Sequence, residues 1–443
     1  MISVPIPAGI SGSIQTPKLQ EALYNVIRSQ GVLISRPACE LVTAISGEPR
    51  GFFVWKDELY SVFGKSLYKG IALAKESDIK GSGPISKAVG HNEIAIATGN
   101  TNYRFDGSLK TVDSSALPVS VSVAMVNNRF AWVPKDGRFV YYSGVLDASD
   151  VSTTSFFDAE TLPDSNKFAL TVGNDLYIFG DDSIERFRNV GTNDQPFVRA
   201  DGSVIPIGYV GGLVESRNGF IFLGKEKEGG YQFYLFSQGS VSPVSTDAIN
   251  EILNSDYARS QLEACQAQRL NWKGVDCYVF SLPDRDFVFS GGNPPSWGYF
   301  MSGTPGVDNL ASWGYKNAIL FKDEIYVQKL DGLYKLTSSS EDSTGDFSRG
   351  FKTFARIDNE SQFVINYLDL KVSQQIKTGS VGISMSRDGV DWSPVMYRST
   401  GGRRDAILRF RPSGGLGRYD GYAGISVYTT QDATFTLENM VLH

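Results

Sequence analysis

The sequence predicts an all-β protein: a β-propeller of about seven blades with a helical insertion, followed by a small C-terminal β-sandwich. Three observations carry that prediction. The 443 residues include 46 glycines, and aromatic residues make up 12%; average glycine usage is about 7%, so many short strands joined by tight turns are expected. A turn-and-strand signature recurs seven times along the chain. Beyond a Ser-rich acidic stretch, a second series of alternating runs begins. At roughly 150 residues per domain, the length accommodates two or three domains.

The recurring signature is an Asn or Asp, any residue, then an apolar residue that opens an alternating strand. It occurs at Asp57/Leu59, Asn92/Ile94, Asn128/Phe130, Asn174/Leu176, Asn218/Phe220, Asp276/Tyr278 and Asp323/Ile325, with spacings of 35, 36, 46, 44, 58 and 47 residues. Three copies share more. Lys56-Asp57-Glu58-Leu59-Tyr60-Ser61-Val62 runs on to Leu67-Tyr68-Lys69, and Lys322-Asp323-Glu324-Ile325-Tyr326-Val327 runs on to Leu333-Tyr334-Lys335-Leu336; Asn174-Asp175-Leu176-Tyr177-Ile178-Phe179 is the third. Each reads as a β-hairpin whose Gly, Asn and Asp supply the tight turn. A period of this size fits a four-stranded propeller blade, which must stack on its neighbours to bury both faces.

The remaining segments follow in order. Residues 1–36 form a Pro- and Gly-rich arm with one short helix, from Leu19, Leu23 and Ile27 at i, i+4 and i+8. Residues 37–336 form the propeller. The longest repeat step holds a helical insertion over about 246–269, with Thr246 as N-cap, Ala248, Ile249, Ile252 and Leu253 at helical spacing, and a second helix from Tyr257 to about Arg269. Residues 337–348 read as a linker. Residues 349–443 carry short alternating runs such as Phe363–Leu368 and Val381–Met385, at sandwich spacing.

Composition excludes several classes. The 42 basic and 48 acidic residues give a net charge of -6, the reverse of a protein held to nucleic acid by phosphate contacts. With only His91 and His443, a His-based metal site or a Ser-His-Asp relay would have to be built around His91 alone, beside which no Cys or acidic partner stands at motif spacing, and no metal or cofactor is expected. Cys39, Cys265 and Cys277 form no CxxC pair and read as buried thiols. Residues 1–17 lack a basic start and are broken by Pro5, Pro7, Gly9 and Gly12, and no stretch reaches the ~18 apolar residues of a membrane span. A soluble chain with no export signal is expected.

The carboxylate pairs Asp181/Asp182, Asp284/Asp286 and Asp388/Asp391 sit in turn sequences, where Asp serves local hydrogen bonds rather than acid/base catalysis. No catalytic set is expected. Ser386-Arg387-Asp388-Gly389-Val390-Asp391-Trp392 resembles the Asp-box hairpin of sialidases, a folding device, one residue short between Asp and Gly. Gly81-Ser82-Gly83-Pro84 lacks the following Gly-Lys-Ser/Thr of a phosphate loop and reads as a turn. One local charge bias stands out: Arg398, Arg403, Arg404, Arg409, Arg411 and Arg418 against Asp405 and Asp420 between residues 395 and 420, a net of +4. Arg409 and Arg411, at i and i+2, would face the same side of a strand, beside a flexible tip at Gly414-Gly415-Leu416-Gly417. The six arginines are the candidate partner interface, for an acidic protein surface or a passing DNA backbone.

The run Leu59-Tyr60-Ser61-Val62 to Leu67-Tyr68-Lys69-Gly70, then Gly81-Ser82-Gly83, then Tyr103-Arg104-Phe105-Asp106-Gly107-Ser108-Leu109-Lys110-Thr111-Val112, resembles the packaged-DNA stabilisation proteins of short-tailed double-stranded DNA phages, the tail hub or nozzle family. The likeness continues through Phe179-Gly180 to Ser183-Ile184-Glu185, Ser242-Pro243-Val244 to Ala248-Ile249-Asn250-Glu251-Ile252, the Asp388-Gly389 hairpin and the Arg-rich stretch before Gly421-Tyr422-Ala423-Gly424-Ile425-Ser426-Val427. The arm matches poorly apart from Arg36-Pro37. The resemblance implies a non-enzymatic head-completion component of the virion tail, assembled in the host cytoplasm as a hexameric ring below the portal-adaptor ring. It would retain packaged DNA, carry the tail needle or plug, adjoin a tailspike or fibre, and form the channel through which double-stranded DNA leaves without specific binding. Two other classes compete: a virion propeller that binds or cleaves glycans, favoured by exposed-looking Trp55, Trp132, Trp297 and Trp313, and a cellular scaffold propeller with one peptide-binding face.

Overall fold

The repeated turns fold as hairpins because their central residues adopt left-handed backbone. Lys56 and Asp57 (φ 47° and 60°), Asn127 and Asn128 (46° and 64°), Lys273 and Gly274 (48° and 82°) and Lys322 and Asp323 (48° and 64°) each place two positive φ angles in succession, the type I′ geometry that matches strand twist. Gly173 alone is positive (φ 63°) before Asn174, as in a type II′ turn. In one repeat the anchor differs from expectation: Asp276 is not in the turn but inside the strand Val275–Ser281, opposite Asn271, because Lys273 and Gly274 make the turn.

The computed structural model describes residues 1–443 except 14–15, 30–31, 113–114, 160–164, 193–194, 201, 203, 292–294, 303–310, 340, 344, 357–362, 374–378, 402–404 and 430–435. The chain divides into two compact units, one of Leu41–Val244 with Tyr315–Tyr334, the other of Met1–Glu40, Ser245–Gly314 and Lys335–His443.

The first unit is a stack of four-stranded antiparallel sheets. Five are consecutive meanders over residues 49–78, 86–111, 120–158, 166–199 and 207–243. A sixth joins Lys316–Phe321, Glu324–Lys329 and Gly332–Thr337 to Ala38–Ala44, so the two ends of the repeat array share one sheet. Apolar clusters lie between successive sheets: Phe53, Tyr60 and Val62 against Ile94, Ile96 and Phe105; Ala95 and Ala97 against Phe130 and Trp132; Val133 and Val140 against Leu176 and Ile178; Phe179 against Phe220 and Phe222; and Tyr326 and Leu333 against Phe52 and Leu59. The last junction is also stitched by buried Gln328, whose amide accepts from Gly51 N at 3.0 Å and donates to Gly51 O and Val62 O at 3.2 Å. Face-to-face stacking of four-stranded meanders is propeller architecture. It also explains why second strands such as Arg129–Pro134 are buried along their whole length rather than at alternate residues: both faces meet a neighbouring sheet.

The second unit holds a seventh meander, Gln266–Trp272, Val275–Ser281, Asp286–Ser290 and Ser296–Ser302, and a β-sandwich. One sandwich sheet runs Ile2–Ser3, Thr436–Leu442, Leu368–Ser373, Asp405–Phe410; the other runs Thr16–Tyr24, Arg349–Arg356, Tyr422–Thr429, Ser380–Ser386, Met396–Ser399 and is continuous with the seventh meander through Tyr24 beside Tyr299. Their shared core contains Phe351, Leu370, Ile383, Leu408, Ile425 and Met440, together with Val4, Leu23 and Val26 from the N-terminal segment.

Four expectations are corrected here. The short helix of the arm is two strands, Thr16–Tyr24 and Val26–Ser29: a spacing of four residues satisfies period 2 as well as period 3.6, and pairing of Ala22–Tyr24 with Gly350–Lys352 decides for the strand. The arm is therefore part of the sandwich, which residues 349–443 do not build alone. The helical insertion is Asp247–Ser255, capped by Thr246 as expected, and Arg259–Glu263; it stops short of Arg269, which lies in the strand Gln266–Trp272. Residues 337–348 are not a linker. Asp342 is buried in an ion pair with Arg36 at 2.6 Å, and Phe347 lies 3.6 Å beneath the same guanidinium. Arg36 further donates to Asn25 Oδ1, Pro37 O and Met301 O. A guanidinium can be buried here because its donors all find acceptors.

Candidate partner interface

Arg398, Arg409 and Arg411 come together on the sandwich; Arg418 lies on a separate small ladder, and Arg403 and Arg404 lie outside the described residues. Asp405–Phe410 is the edge strand of its sheet, with Leu408 and Phe410 turned into the core and Ile407 and Arg409 outward. Arg409 donates two hydrogen bonds of 2.7 Å to the two carboxylate oxygens of Asp369, its partner across the ladder. This bidentate pair holds the Asp369 carboxyl below the usual carboxylate range. Arg409 and Arg411 lie 4.5 Å and 5.8 Å from the centre of the Tyr367 ring, although Arg411 lies just past the strand, which ends at Phe410. His443 completes the cluster, stacked on Tyr367 at 4.4 Å and 3.5 Å from Asp369.

Arg398 comes from Met396–Ser399, the edge strand of the opposing sheet, and donates to the backbone carbonyl of Arg409 at 3.1 Å. It thereby covers an edge carbonyl that would otherwise invite another strand. Arg418 is exposed on the short ladder between Gly417–Tyr419 and Phe363–Ile365. The expected flexible tip is instead held by backbone bonds, Leu416 N to Ile365 O at 2.7 Å and Gly415 N to Pro412 O at 3.0 Å. Beside the arginines lie Ile407, 64% exposed, and Tyr397, 53% exposed. Sequence reasoning found the arginines but missed Tyr367, Asp369 and His443, which reach them only through strand pairing.

The other candidates resolve into structure. Asp388 accepts from Val390 N and Asp391 N at 2.9 Å, which lowers its pKa, while Trp392 Nε1 donates to Gly389 O; the hairpin is a folding device. Asp286 is buried, accepting from Ser281, Ser312 and Gly314 N, and burial pushes its carboxyl up. Asp284 is instead engaged by Tyr257 and Arg285. The two therefore occupy different environments and face different partners. Of the four tryptophans that favoured a glycan-binding reading, Trp132, Trp297 and Trp313 are buried and Trp55 is partly exposed, which weakens that reading. They are large rings that fill space between sheets, as Trp132 does beside Phe130. The three cysteines are buried and form no disulfide. Among the described residues no helix is long and apolar enough to cross a membrane.

Solved structures with related outlines include the extracellular domain of a hybrid two-component system from B. thetaiotaomicron (11% identity, TM-score 0.47, covering 74% of this chain and 42% of that one) and the N-terminal domain of Nup159 (9%, TM-score 0.41, 71% and 97%). At these TM-scores neither carries an argument. The tail hub protein gp10 of Salmonella phage P22 is 25% identical over 315 residues, a stretch that takes up 66% of this chain and 64% of that protein. The chain thus matches less than two thirds of the relative's length. Residues 17–338 match the family described as Bacteriophage P22 Gp10, beta-propeller, and the chain belongs to that family.

Proposed function

We propose that this protein is a structural component of a short-tailed phage virion, a tail hub that assembles as a hexameric ring below the portal-adaptor, retains packaged DNA and forms the channel through which the genome leaves. The observation that carries the reading is the family match over residues 17–338, joined by likeness to a tail hub protein over 66% of the chain. The stacked sheets support it: a ring under internal DNA pressure needs a stiff subunit, and sheets packed on both faces are stiff. A mildly acidic chain suits a conduit, because each phosphate neutralised by Lys or Arg adds affinity and slows passage.

Within this reading Arg398, Arg409 and Arg411, and Arg418 on its separate ladder, face a protein partner. Arg409 is already matched by Asp369, and exposed Ile407 and Tyr397 interleave with the arginines, a mixture typical of protein interfaces. Sedimentation velocity on the purified chain, alone and with portal complexes bearing their adaptor ring, tests the proposal. Complexes that gain about six copies are expected, in keeping with closed rotational symmetry. A chain that remains monomeric and ignores the portal would overturn it.

A further inference from the structure

The stack of sheets contains a recess of about 670 Å³ whose lining includes Lys65, Lys80, Lys135, Ser82, Thr98 and Asn100, and no carboxylate. The residues come from three successive sheets. Lys65 sits in the turn after Glu58–Phe63, Lys80 follows Ala74–Asp78, Thr98 and Asn100 belong to the turn after Ile94–Ala97, and Lys135 follows Arg129–Pro134. Three lysines from separate loops thus line one recess in a chain whose net charge is -6.

A buried arginine outside the recess lining holds the loops that carry two of the lysines. Arg50 is buried, 1% exposed, and its guanidinium donates to Gly83 O at 2.7 Å, Gly64 O at 2.9 Å and Lys80 O at 3.4 Å. These carbonyls lie on or beside the loops that carry Lys65 and Lys80, so Arg50 fixes the loops and takes up their carbonyls. Its hydrogen-bond partners are carbonyls, and Glu48, the carboxylate that acts on it electrostatically, is solvent-exposed. Gly81 (φ +97°) lets the loop press against the next sheet: a Cβ there would fall 2.9 Å from Thr98 O and 3.1 Å from Arg50. Asp136 follows Lys135 in its turn without lining the recess.

We propose that this recess is a binding site for a ligand carrying two or more phosphate groups. Lysine ammoniums are compact point charges that approach a tetrahedral anion from several directions, and lysine binds phosphate in that way. Ser82 and Thr98 add hydroxyls, and the volume falls within the roughly 300–1,000 Å³ of small-ligand sites. The Gly81-Ser82-Gly83-Pro84 turn contributes here by shape. It does not form a phosphate loop, since Pro84 has no N–H and Ile85 N is taken by Arg50 O.

Calorimetric titration of the full chain with tripolyphosphate at low salt tests the site, using Lys80→Glu and Lys135→Glu, with Lys227→Glu, on a hairpin elsewhere, as the charge control. The site requires saturable binding of one ligand per chain, weakened at least about tenfold by either pocket substitution and changed little by the control. Competition identifies the source of the phosphate: displacement by a short DNA duplex assigns the site to a nucleic-acid backbone, and displacement by a nucleoside triphosphate but not by the duplex assigns it to a small ligand. Absence of saturable binding in a variant-free, folded chain overturns the proposal. So does binding that Lys227→Glu weakens as much as Lys80→Glu, which would report net charge only. Because the titration needs no ring, its failure is separate from failure of the assembly proposal.

Discussion

The two units bury their strands by opposite routes. In the stack of six sheets, five are built wholly from strands that follow one another in sequence, and the first turn of most is set by two residues. The sandwich unit is drawn from three separated pieces, Met1–Glu40, Ser245–Gly314 and Lys335–His443. Its order depends on contacts between residues hundreds of positions apart, such as Arg36 with Asp342 and Thr353 with Pro5. Local hairpins pay little loop-closure entropy, whereas distant pieces must be held by contacts strong enough to offset it.

The sharpest way to break this contrast is Arg36→Ala. The substitution leaves Asp342 buried beside an emptied space and removes the donors that hold Asn25 Oδ1, Pro37 O and Met301 O. Breaking one side of a buried pair costs about 3–5 kcal/mol. Hydrogen exchange read by mass spectrometry should show lost protection in residues 16–29 and 341–356, with residues 49–243 largely unchanged. Uniform loss through both regions would mean that the stack also depends on this junction, and the local-versus-distant distinction would fail.

The same contrast explains what was legible in the sequence. The stack was readable because a type I′ turn writes its signature in adjacent residues, as Lys56-Asp57 and Lys322-Asp323 do. The repeat at Lys273-Gly274 was misplaced to Asp276 because an acidic strand residue mimics a turn residue in a pattern of that kind. The arm was misread because Leu19, Leu23 and Ile27 fit both periods, and the strand that decides between them, Arg349–Arg356, is more than 300 residues away. Ser-rich composition concealed the buried Asp342 for the same reason: its partner is Arg36. At the candidate interface the arginines were visible as a charge bias, but the Asp369 that neutralises Arg409 is 40 residues away and becomes its neighbour only across a ladder. The recess lysines were invisible as a group, since three sheets had to be stacked before they met.

A gentler test sharpens the local half of the comparison. Asp57 is an L-residue held at φ 60°, whereas the equivalent turn position at Lys273-Gly274 uses glycine. Asp57→Gly relieves a left-handed backbone at some cost in unfolded-chain entropy, and a gain of roughly 0.5–1 kcal/mol is expected. Asp57→Val, β-branched at the same angle, should instead destabilise by more than about 1 kcal/mol. Thermal unfolding of the two variants checks the pair. Equal midpoints for glycine and valine would show that the turn does not set the stability of this hairpin.

The smallest effect is expected at the cross-ladder pair on the sandwich surface, and its signature is pH dependence rather than size. Arg409 holds the Asp369 carboxyl below its ordinary value in the folded chain, so folding favours the ionised form. The stabilisation is therefore present above the unfolded-state pKa of about 3.9 and is lost as pH falls through the lower folded-state value. Asp369→Asn removes the titrating group while keeping the shape, so the variant should be less stable than the parent at pH 7 and approach it on acidification below pH 3. Salt should narrow the pH 7 difference, because the Arg409 partner is 54% exposed and therefore screened. Urea unfolding of both chains at pH 7 and pH 2.5, with 0.05 and 0.5 M salt, measures all three points. A gap between the two chains that does not change with pH would assign the role of Asp369 to packing against Tyr367 and His443. In that case Arg409 would be free to serve a partner surface.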